Sequence, residues 1–207
     1  MSARCAEGPP PSLSGDVAHL VSAVLDAVDP RLAPALREEL ARPGAALAPA
    51  ATQTLAIAGH RAAGKTRLLP LLSALTGRPG VDLDAELARQ HGRALRDWVR
   101  EDVAGFRAAE RAAFAQLPPG SLVALGGGFL SHHPDALAGT FTVLVPLSAE
   151  TYRERLLADR ERPRLRPELS LEEEISRVWA EREALHARVP TVPLVHLLRA
   201  LLPPRSA

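Results

Sequence analysis

Residues 59–66 read Gly-His-Arg-Ala-Ala-Gly-Lys-Thr, which satisfies the pattern G-x-x-x-x-G-K-[ST]. An apolar run at 55–58 precedes this segment, and a helical pattern follows it, so it connects a predicted strand to a predicted helix. Such a turn places backbone N–H groups and a helix N-terminus around a phosphate. Lys65 can then bridge phosphates, and the Thr66 hydroxyl can ligate Mg²⁺. The segment therefore predicts a phosphate-binding loop.

The basic residues of the chain point to the same segment. Lys65 is the only lysine among 25 lysines and arginines. Arginine replaces lysine freely on a solvated surface, but a planar guanidinium does not fit a tight anion site built for a compact ammonium. A lysine retained in an arginine-rich chain therefore indicates a site at Lys65.

From residue 53 onward, short apolar runs alternate with longer helical patterns, which is typical of an α/β domain. Strands are predicted at 55–58, 81–83, 122–125, 141–145 and 192–195. The runs are apolar throughout rather than alternating, as in a parallel sheet covered by helices on both faces. Helices are predicted at 65–75, 85–100 with a break near Gly92, 103–116, 149–158 and 171–188. We predict a three-layer α/β/α domain over residues 52–207 with a five-stranded parallel sheet.

Residues 1–51 lack this alternation. We expect a disordered lead-in, a small helical hairpin and a linker at 42–51 that is rich in alanine, proline and glycine. The segment is predicted to be an appendage outside the core that packs against the main domain or against a second copy of the chain. A monomer is expected, with a dimer through the hairpin as the alternative.

The charge balance argues against two classes of partner. The formal net charge is +1, so the chain as a whole has no electrostatic basis for binding nucleic acid or an anionic membrane. The start of the chain lacks the apolar core of a signal peptide, and no later apolar run is long enough to span a bilayer. We predict a cytoplasmic location.

Two acidic residues, Asp82 and Asp84, come at the end of the second predicted strand. In a parallel sheet this position lies at the carboxyl edge, beside the phosphate loop. One carboxylate could face the waters of the metal ion, and the other could face a hydroxyl that loses its proton as phosphate arrives. An acidic residue at a strand end can also be a simple helix cap.

Two further features belong to the same candidate site. Arg107 and Glu110 share a helix face at i and i+3, and a surface ion pair is the simplest interpretation of that spacing. Gly126, Gly127 and Gly128 follow the third strand and would let a ligand approach the backbone closely, although a flexible turn fits the pattern too.

Six arginines lie between residues 153 and 166, in a segment broken by Pro163 and Pro167. We predict a lid at about 159–169 that closes over a triphosphate; a solvated basic loop is the alternative. The pair His132 and His133 has no carboxylate or cysteine pattern around it, and we interpret it as a surface pair.

The order of these motifs resembles the shikimate kinase family over about residues 54–190. The resemblance implies a P-loop NTPase fold of the nucleoside-monophosphate-kinase type. It also implies Mg²⁺-dependent transfer of the γ-phosphoryl of ATP to the 3-hydroxyl of shikimate. Two alternatives stay open: a related small-molecule kinase such as a gluconate kinase, and a non-catalytic, shikimate-kinase-like domain that senses a metabolite.

The same resemblance implies a role for individual residues. The catalytic residues would be Lys65, Asp84 and Arg162. The ATP-binding residues would be Gly59, Ala62, Ala63, Gly64, Lys65, Thr66, Arg67, Arg155 and Arg162. The Mg²⁺ ligands would be Thr66 and, through water, Asp82. The shikimate-binding residues would be Asp84, Arg107, Gly126, Gly127, Gly128 and Arg182, with Glu110 as a partner of Arg107.

The chain departs from the family pattern at three of its motif positions. Ala62 stands where the family usually has glycine, Arg67 where it has serine or threonine, and His186 where it has tyrosine. The C-terminal stretch at 192–196 also lacks the family's Asp-Thr ending.

Overall fold

The structure is a computed structural model that describes residues 13–159 and 164–203. Its five strands form one sheet in the order β2-β3-β1-β4-β5, and every neighbouring pair is parallel. The strands are β1 (Leu55–Ala58), β2 (Gly80–Asp82), β3 (Leu122–Ala124), β4 (Phe141–Leu144) and β5 (Val192–Pro193). The predicted five-stranded parallel sheet is confirmed.

Helices cover both faces of the sheet. In chain order they are α1 (Leu13–Ala27), α2 (Ala33–Ala41), α3 (Lys65–Thr76), α4 (Leu83–His91), α5 (Leu95–Glu101), α6 (Val103–Ala115), α7 (Phe129–His132), α8 (Ala149–Ala158), α9 (Leu171–His186) and α10 (Leu194–Leu201). A 3₁₀ turn, Pro134–Leu137, follows α7. Within the two described ranges, no helix combines the length and the apolar character needed to cross a membrane.

The central strand β1 shows how the two layers are built. All four of its residues are buried. Leu55 and Ile57 belong to one apolar cluster, whereas Ala56 and Ala58 belong to the cluster on the other side. Because successive side chains of a strand point to opposite faces, a strand that is buried on both faces reads as a continuous apolar run.

The register of the parallel strands determines where the loops lie. Ile57 of β1 is paired with Ala124 of β3, which is in turn paired with Asp82 of β2. The three strands therefore end level with one another. The segments that follow them lie at one edge of the sheet, where α/β proteins bind their ligands.

The N-terminal hairpin corrects one expectation. Five residues of α1 and the turn after it, Val21, Val24, Leu25, Ala27 and Val28, are buried in the same cluster as Leu55 and Ile57. The hairpin is therefore part of the core and not an appendage outside it. The sequence pattern showed the helices but did not show what their apolar face covers.

Asp29 ties the end of this hairpin to α8. Its buried carboxylate accepts hydrogen bonds from Ser148 N at 2.6 Å and from Thr151 Oγ1 at 2.7 Å. Burial alone would raise the pKa of this carboxyl, but the bonds from Ser148, Thr151 and the Arg31 backbone lower it to about 2. The charged form is therefore held in place by donors from two elements.

Some predicted boundaries were wrong. The second strand ends at Asp82 and not at residue 83, because the Asp82 side chain accepts from Ala85 N at 3.1 Å and so begins α4. The last strand was predicted to reach residue 195, but α10 begins at Leu194. Its buried residues are Leu194, Val195, Leu197 and Leu198, which recur at helical spacing. The predicted break near Gly92 is confirmed, since Gly92 ends α4 at φ 60°.

The packing of α1 leads to a test of stability. We expect Leu25→Ala to lower the free energy of unfolding by about 2–5 kcal/mol and the melting temperature by about 5–15 °C, because it opens a cavity in the core. The matched control is Leu47→Ala, since Leu47 is 44% exposed. Thermal unfolding of the three proteins is the measurement. Equal melting temperatures for Leu25→Ala and the wild type would show that the hairpin does not belong to the core.

Candidate active site

The phosphate loop closes around the side chain of Lys65. Lys65 Nζ donates to the carbonyl oxygens of Gly59 at 3.0 Å and His60 at 2.7 Å. Gly59 and Gly64 have φ values of 142° and 86°, which glycine adopts at little cost. The loop between β1 and α3 is neither helix nor strand, so its backbone N–H groups do not belong to a regular hydrogen-bond pattern. α3 begins directly after the loop, at Lys65.

Ala62 adopts a left-handed conformation with φ 59° although it carries a side chain. This costs about 1–2 kcal/mol relative to glycine. Arg155 Nη1 donates to the Ala62 carbonyl oxygen at 2.7 Å and so supports the strained residue from α8. The hydrogen bond from Arg155 thus helps to hold alanine in a conformation that glycine would adopt more easily.

Thr66 and Asp82 place two side-chain oxygen atoms side by side at the mouth of the loop. Thr66 Oγ1 donates to Asp82 Oδ2 at 2.7 Å, and the other Asp82 oxygen caps α4. A hydroxyl and a carboxylate at this distance match the hard oxygen donors that Mg²⁺ prefers. The two residues fit the metal-binding role predicted for them.

A cavity of about 910 Å³ opens on this loop. It is lined by Ala27, Arg61, Ala62, Gly64, Lys65, Thr66, Arg67, Asp82, Asp84, Ala124, Leu125, Gly127 and Arg155. Ala27 comes from the hairpin, and sequence reasoning missed it because the hairpin was treated as an appendage. A second cavity of about 790 Å³ shares Arg61, Asp84 and Gly127 with the first. The two cavities therefore form one cleft. We call the cavity on the loop its phosphate end and the second cavity its acceptor end.

Two carboxylates meet at the acceptor end. A Cβ atom added at Gly126 would lie 2.6 Å from Asp84 Oδ1 and 2.8 Å from Glu110 Oε1. Burial and, after it, the nearby charges of Glu110 and Asp82 raise the pKa of Asp84 to about 6, although the charges of Lys65 and Arg107 oppose the shift. Burial also raises the pKa of Glu110. Asp84 thus has the titration range of a group that can exchange a proton near neutrality.

Two guanidinium groups, that of the partly buried Arg107 and that of the buried Arg182, line the same cavity. Arg107 Nη1 donates to Glu110 Oε2 at 2.7 Å, so the pair at i and i+3 is a buried ion pair and not a surface one. Within the described part of the chain, Arg107 Nε and Arg182 Nη1 have no hydrogen-bond partner. Burial and the charges of Arg61 and Arg107 lower the pKa of Arg182 to about 10. Unpaired buried donors are costly, and an anionic ligand would satisfy them.

The three glycines after β3 are required by close contacts. A Cβ at Gly127 would lie 2.7 Å from Arg61 Cγ, and one at Gly128 would lie 2.9 Å from Arg107 Nη2. None of the three has a positive φ. Side chains here would fill the cleft or displace its arginines, so a merely flexible turn does not explain the glycines.

The structure brings most of the predicted site residues together in this cleft. Gly59 supplies a carbonyl to Lys65, and the Ala63 side chain is buried in the core, so it can offer a ligand only its backbone. Arg67 is exposed at the rim of the phosphate end. Arg162 lies outside the described residues. Of the predicted lid, Arg164 and Leu165 are bound to the buried Glu174 carboxylate.

The histidine pair corrects another expectation. His133 is 7% exposed and packs against Phe129, so it does not lie on the surface. His132 is exposed, as predicted, although it also lines the acceptor end of the cleft. Arg61 was missed as well, although it lines both ends of the cleft. Its position inside the loop pattern was the available signal. Nothing in the local sequence distinguishes His132.

Comparison with known proteins agrees with this arrangement. A model of the shikimate kinase family matches residues 61–195. Shikimate kinase 2 of Shigella dysenteriae and of Escherichia coli O81 are each 34% identical over 148 residues, which cover 67% of this chain and 83% of theirs. Two solved structures share the fold. A shikimate kinase from Acinetobacter baumannii in complex with shikimate has TM-score 0.59 and 23% identity, covering 72% of this chain and 88% of its own. A shikimate kinase from Bacteroides thetaiotaomicron has TM-score 0.57 and 18% identity, covering 67% of this chain and 84% of its own.

The raised pKa of Asp84 predicts a pH-dependent effect on stability. Ionising Asp84 costs more in the folded chain than in the unfolded one, so it destabilises the fold increasingly as pH rises from its ordinary pKa of 3.8 through about 6. Asp84→Asn removes this cost. The stabilisation should be larger at pH 8 than at pH 5, by about 1 kcal/mol.

Thermal melts at the two pH values test this prediction. The control is Asp135→Asn, because a hydrogen bond from Arg111 lowers the pKa of Asp135 to about 2. Asp135 is ionised at both pH values, so its substitution should change stability equally at each. An equal shift at pH 5 and pH 8 for Asp84→Asn would show that the Asp84 carboxyl titrates normally.

Proposed function

We propose that this chain, which belongs to the shikimate kinase family, transfers the γ-phosphoryl of ATP to the 3-hydroxyl of shikimate. ATP-dependent phosphoryl transfer is the activity of the family. The choice of acceptor, the metal ion and the roles of individual residues are the parts that we propose.

One observation carries the choice of acceptor. Arg107 and Arg182 line the same cavity as Asp84, and each has one buried nitrogen that lacks a hydrogen-bond partner among the described residues. Shikimate has a carboxylate and three hydroxyls on one ring, which suits two guanidinium groups and a carboxylate. The match is chemical: cations bind the carboxylate, and the acid accepts hydrogen bonds from hydroxyls. An acceptor without a carboxylate would leave Arg107 Nε and Arg182 Nη1 without a partner among the described residues.

The phosphate end suits a nucleoside triphosphate. Lys65 would exchange its two carbonyl contacts for phosphate oxygens, and the backbone of residues 62–66 would surround the β-phosphate. Thr66 and, through water, Asp82 would hold Mg²⁺, which when bound neutralises charge on the transferred phosphoryl group. Arg155 touches the loop at Ala62, and this supports its predicted place near the nucleotide.

Asp84 is the group that we propose as the proton acceptor. Asp84 lies where the two ends of the cleft join, and a general base that takes the proton of the attacking hydroxyl must lie there. Its pKa of about 6, raised chiefly by burial, leaves it ionised at neutral pH yet basic enough to accept a proton. Glu110 positions Arg107 and adds to the negative charge that keeps the Asp84 pKa high.

The contribution of Arg162 to catalysis, the cytoplasmic location and the monomeric state stay predictions.

The direct test is ADP release by the full chain with Mg·ATP, in the presence of shikimate, of gluconate, or of neither. We expect turnover only with shikimate. Lys65→Ala should reduce kcat about 100-fold or more, because the transferred phosphoryl loses a charged donor. Lys65→Arg keeps the charge but not the shape, and it should also be impaired. Turnover with gluconate alone, or binding of shikimate without ADP release, would each refute the proposed reaction.

Arg182 provides the test of the acceptor end. Arg182→Ala should raise the KM for shikimate about 10- to 100-fold, because a buried charged contact to the carboxylate is lost, while the KM for ATP stays nearly unchanged. Arg177→Ala is the matched control, since Arg177 lies on the same helix but is exposed. Steady-state kinetics with each substrate varied in turn measures both constants. If ATP binding weakens instead of shikimate binding, Arg182 does not belong to the acceptor site.

A further inference from the structure

A cluster of metal-ligating side chains lies behind the phosphate loop, where the proposed reaction uses none of them. It consists of His60 from the loop and Glu183 and His186 from α9. One ligand atom from each residue lies within 4.8 Å of the others. His60 Nε2 and Glu183 Oε1 are 2.7 Å apart.

The two imidazole rings are buried without the partners that buried rings normally have. His60 is 3% exposed and His186 is 4% exposed. Within the described residues, His60 Nδ1 and both ring nitrogens of His186 lack a hydrogen-bond partner. A neutral imidazole carries one donor and one acceptor, and leaving both unsatisfied in the interior costs free energy. A metal ion bound to one nitrogen of His186 would remove part of that cost.

The rings are also in the protonation state that binds metals. Burial, together with the charges of His60, Arg182 and Lys65, lowers the pKa of His186 to about 4. Burial lowers the pKa of His60 as well, although Glu183 opposes the shift. Both rings are therefore neutral at pH 7, and a neutral ring nitrogen can donate its lone pair.

Aromatic packing fixes the geometry of the cluster. Trp179 stacks on His60 at a centroid distance of 4.1 Å and an interplanar angle of 13°. Tyr152 packs against the edge of His60 at 5.4 Å, and His186 lies 4.7 Å from it. The rings are thus held in place, whereas the Glu183 side chain is 53% exposed and can adjust.

We propose that His60, Glu183 and His186 bind a divalent cation of the zinc class. Two ligands about 2.0 Å from Zn²⁺ lie about 3.3 Å apart in a tetrahedron. The separations in this cluster, 2.7 Å for one pair and at most 4.8 Å, bracket that value. The exposed side of Glu183 gives the ion an entry path and leaves a fourth position for water. Two imidazoles and one carboxylate favour Zn²⁺ over Mg²⁺, which takes oxygen ligands.

The ion would connect two parts of the cleft. The His60 carbonyl oxygen accepts from Lys65 Nζ, and α9 carries Arg182 four residues before His186. A metal bond between His60 and α9 would therefore hold the phosphate loop against the helix of the acceptor end. Lys65 and Arg182 repel a cation, so the affinity is weaker than that of a structural zinc-finger site.

The test uses Co²⁺ as a spectroscopic probe, because a tetrahedral Co²⁺ site absorbs visible light far more strongly than the hydrated ion. The full chain carries Cys5→Ser, so that its one thiol does not bind the probe. Titration in excess Mg²⁺ should give intense visible bands that saturate at about one equivalent and are displaced by Zn²⁺. Glu183→Gln and His186→Gln should each weaken binding about tenfold or more, since each removes a ligand.

Two controls make the outcome decisive. His91→Gln removes an exposed histidine and should leave the titration unchanged. Asp82→Asn removes a ligand of the proposed Mg²⁺ site and should also leave it unchanged. The Glu183 side chain is exposed, so Glu183→Gln reports on binding even if His186→Gln does not fold. The proposal is overturned if no visible bands appear, if Glu183→Gln binds like the wild type, or if Asp82→Asn abolishes binding. None of these results depends on whether shikimate is the acceptor.

Discussion

The parallel register of β1, β2 and β3 is the constraint on which the cleft depends. Because Ile57, Ala124 and Asp82 lie side by side across the strands, the phosphate loop, the acidic residues and the glycine triplet all follow at one edge. These motifs lie at residues 59–66, 82–84 and 126–128 of the sequence. Only the sheet brings the Lys65 ammonium, the Thr66 hydroxyl and the Asp84 carboxylate into one cavity. The register of the strands therefore determines which side chains can meet in the cleft.

The cleft contains charged groups that do not stabilise the fold. Asp84 and Glu110 approach one another in a buried place, and the buried Arg182 guanidinium has an unpaired nitrogen. Each arrangement costs stability, since ionised groups are better solvated in water. The Arg107–Glu110 pair offsets only part of the cost. These carboxylates and guanidinium nitrogens suit a ligand that carries both an anionic group and hydroxyls. The cleft therefore lowers the stability of the free protein at the positions where it would bind such a ligand.

The sequence was informative where a feature is local and incomplete where it depends on packing. The loop pattern, the apolar strands and the break at Gly92 are local, and each could be read from neighbouring residues. The amphipathic spacing of α10 was also present, but the strand pattern at Val192 obscured it. The burial of Val24 and Leu25 against the sheet, and the meeting of His60 with His186, involve residues distant in the chain. No local pattern reports such contacts, so the hairpin and the histidine cluster could not be predicted.

The phosphate loop is held from two sides, and this explains how a strained loop can keep its shape. On one side, the buried Asp29 of the hairpin binds Ser148 and Thr151 at the start of α8. The same helix carries Arg155, which donates to Ala62, the one non-glycine residue at positive φ among those described. On the other side, the His60 ring is bound by Glu183 and stacked on Trp179 of α9. The hairpin is therefore connected to the loop through α8, because Asp29 binds the start of that helix and Arg155 of the same helix binds the Ala62 carbonyl oxygen.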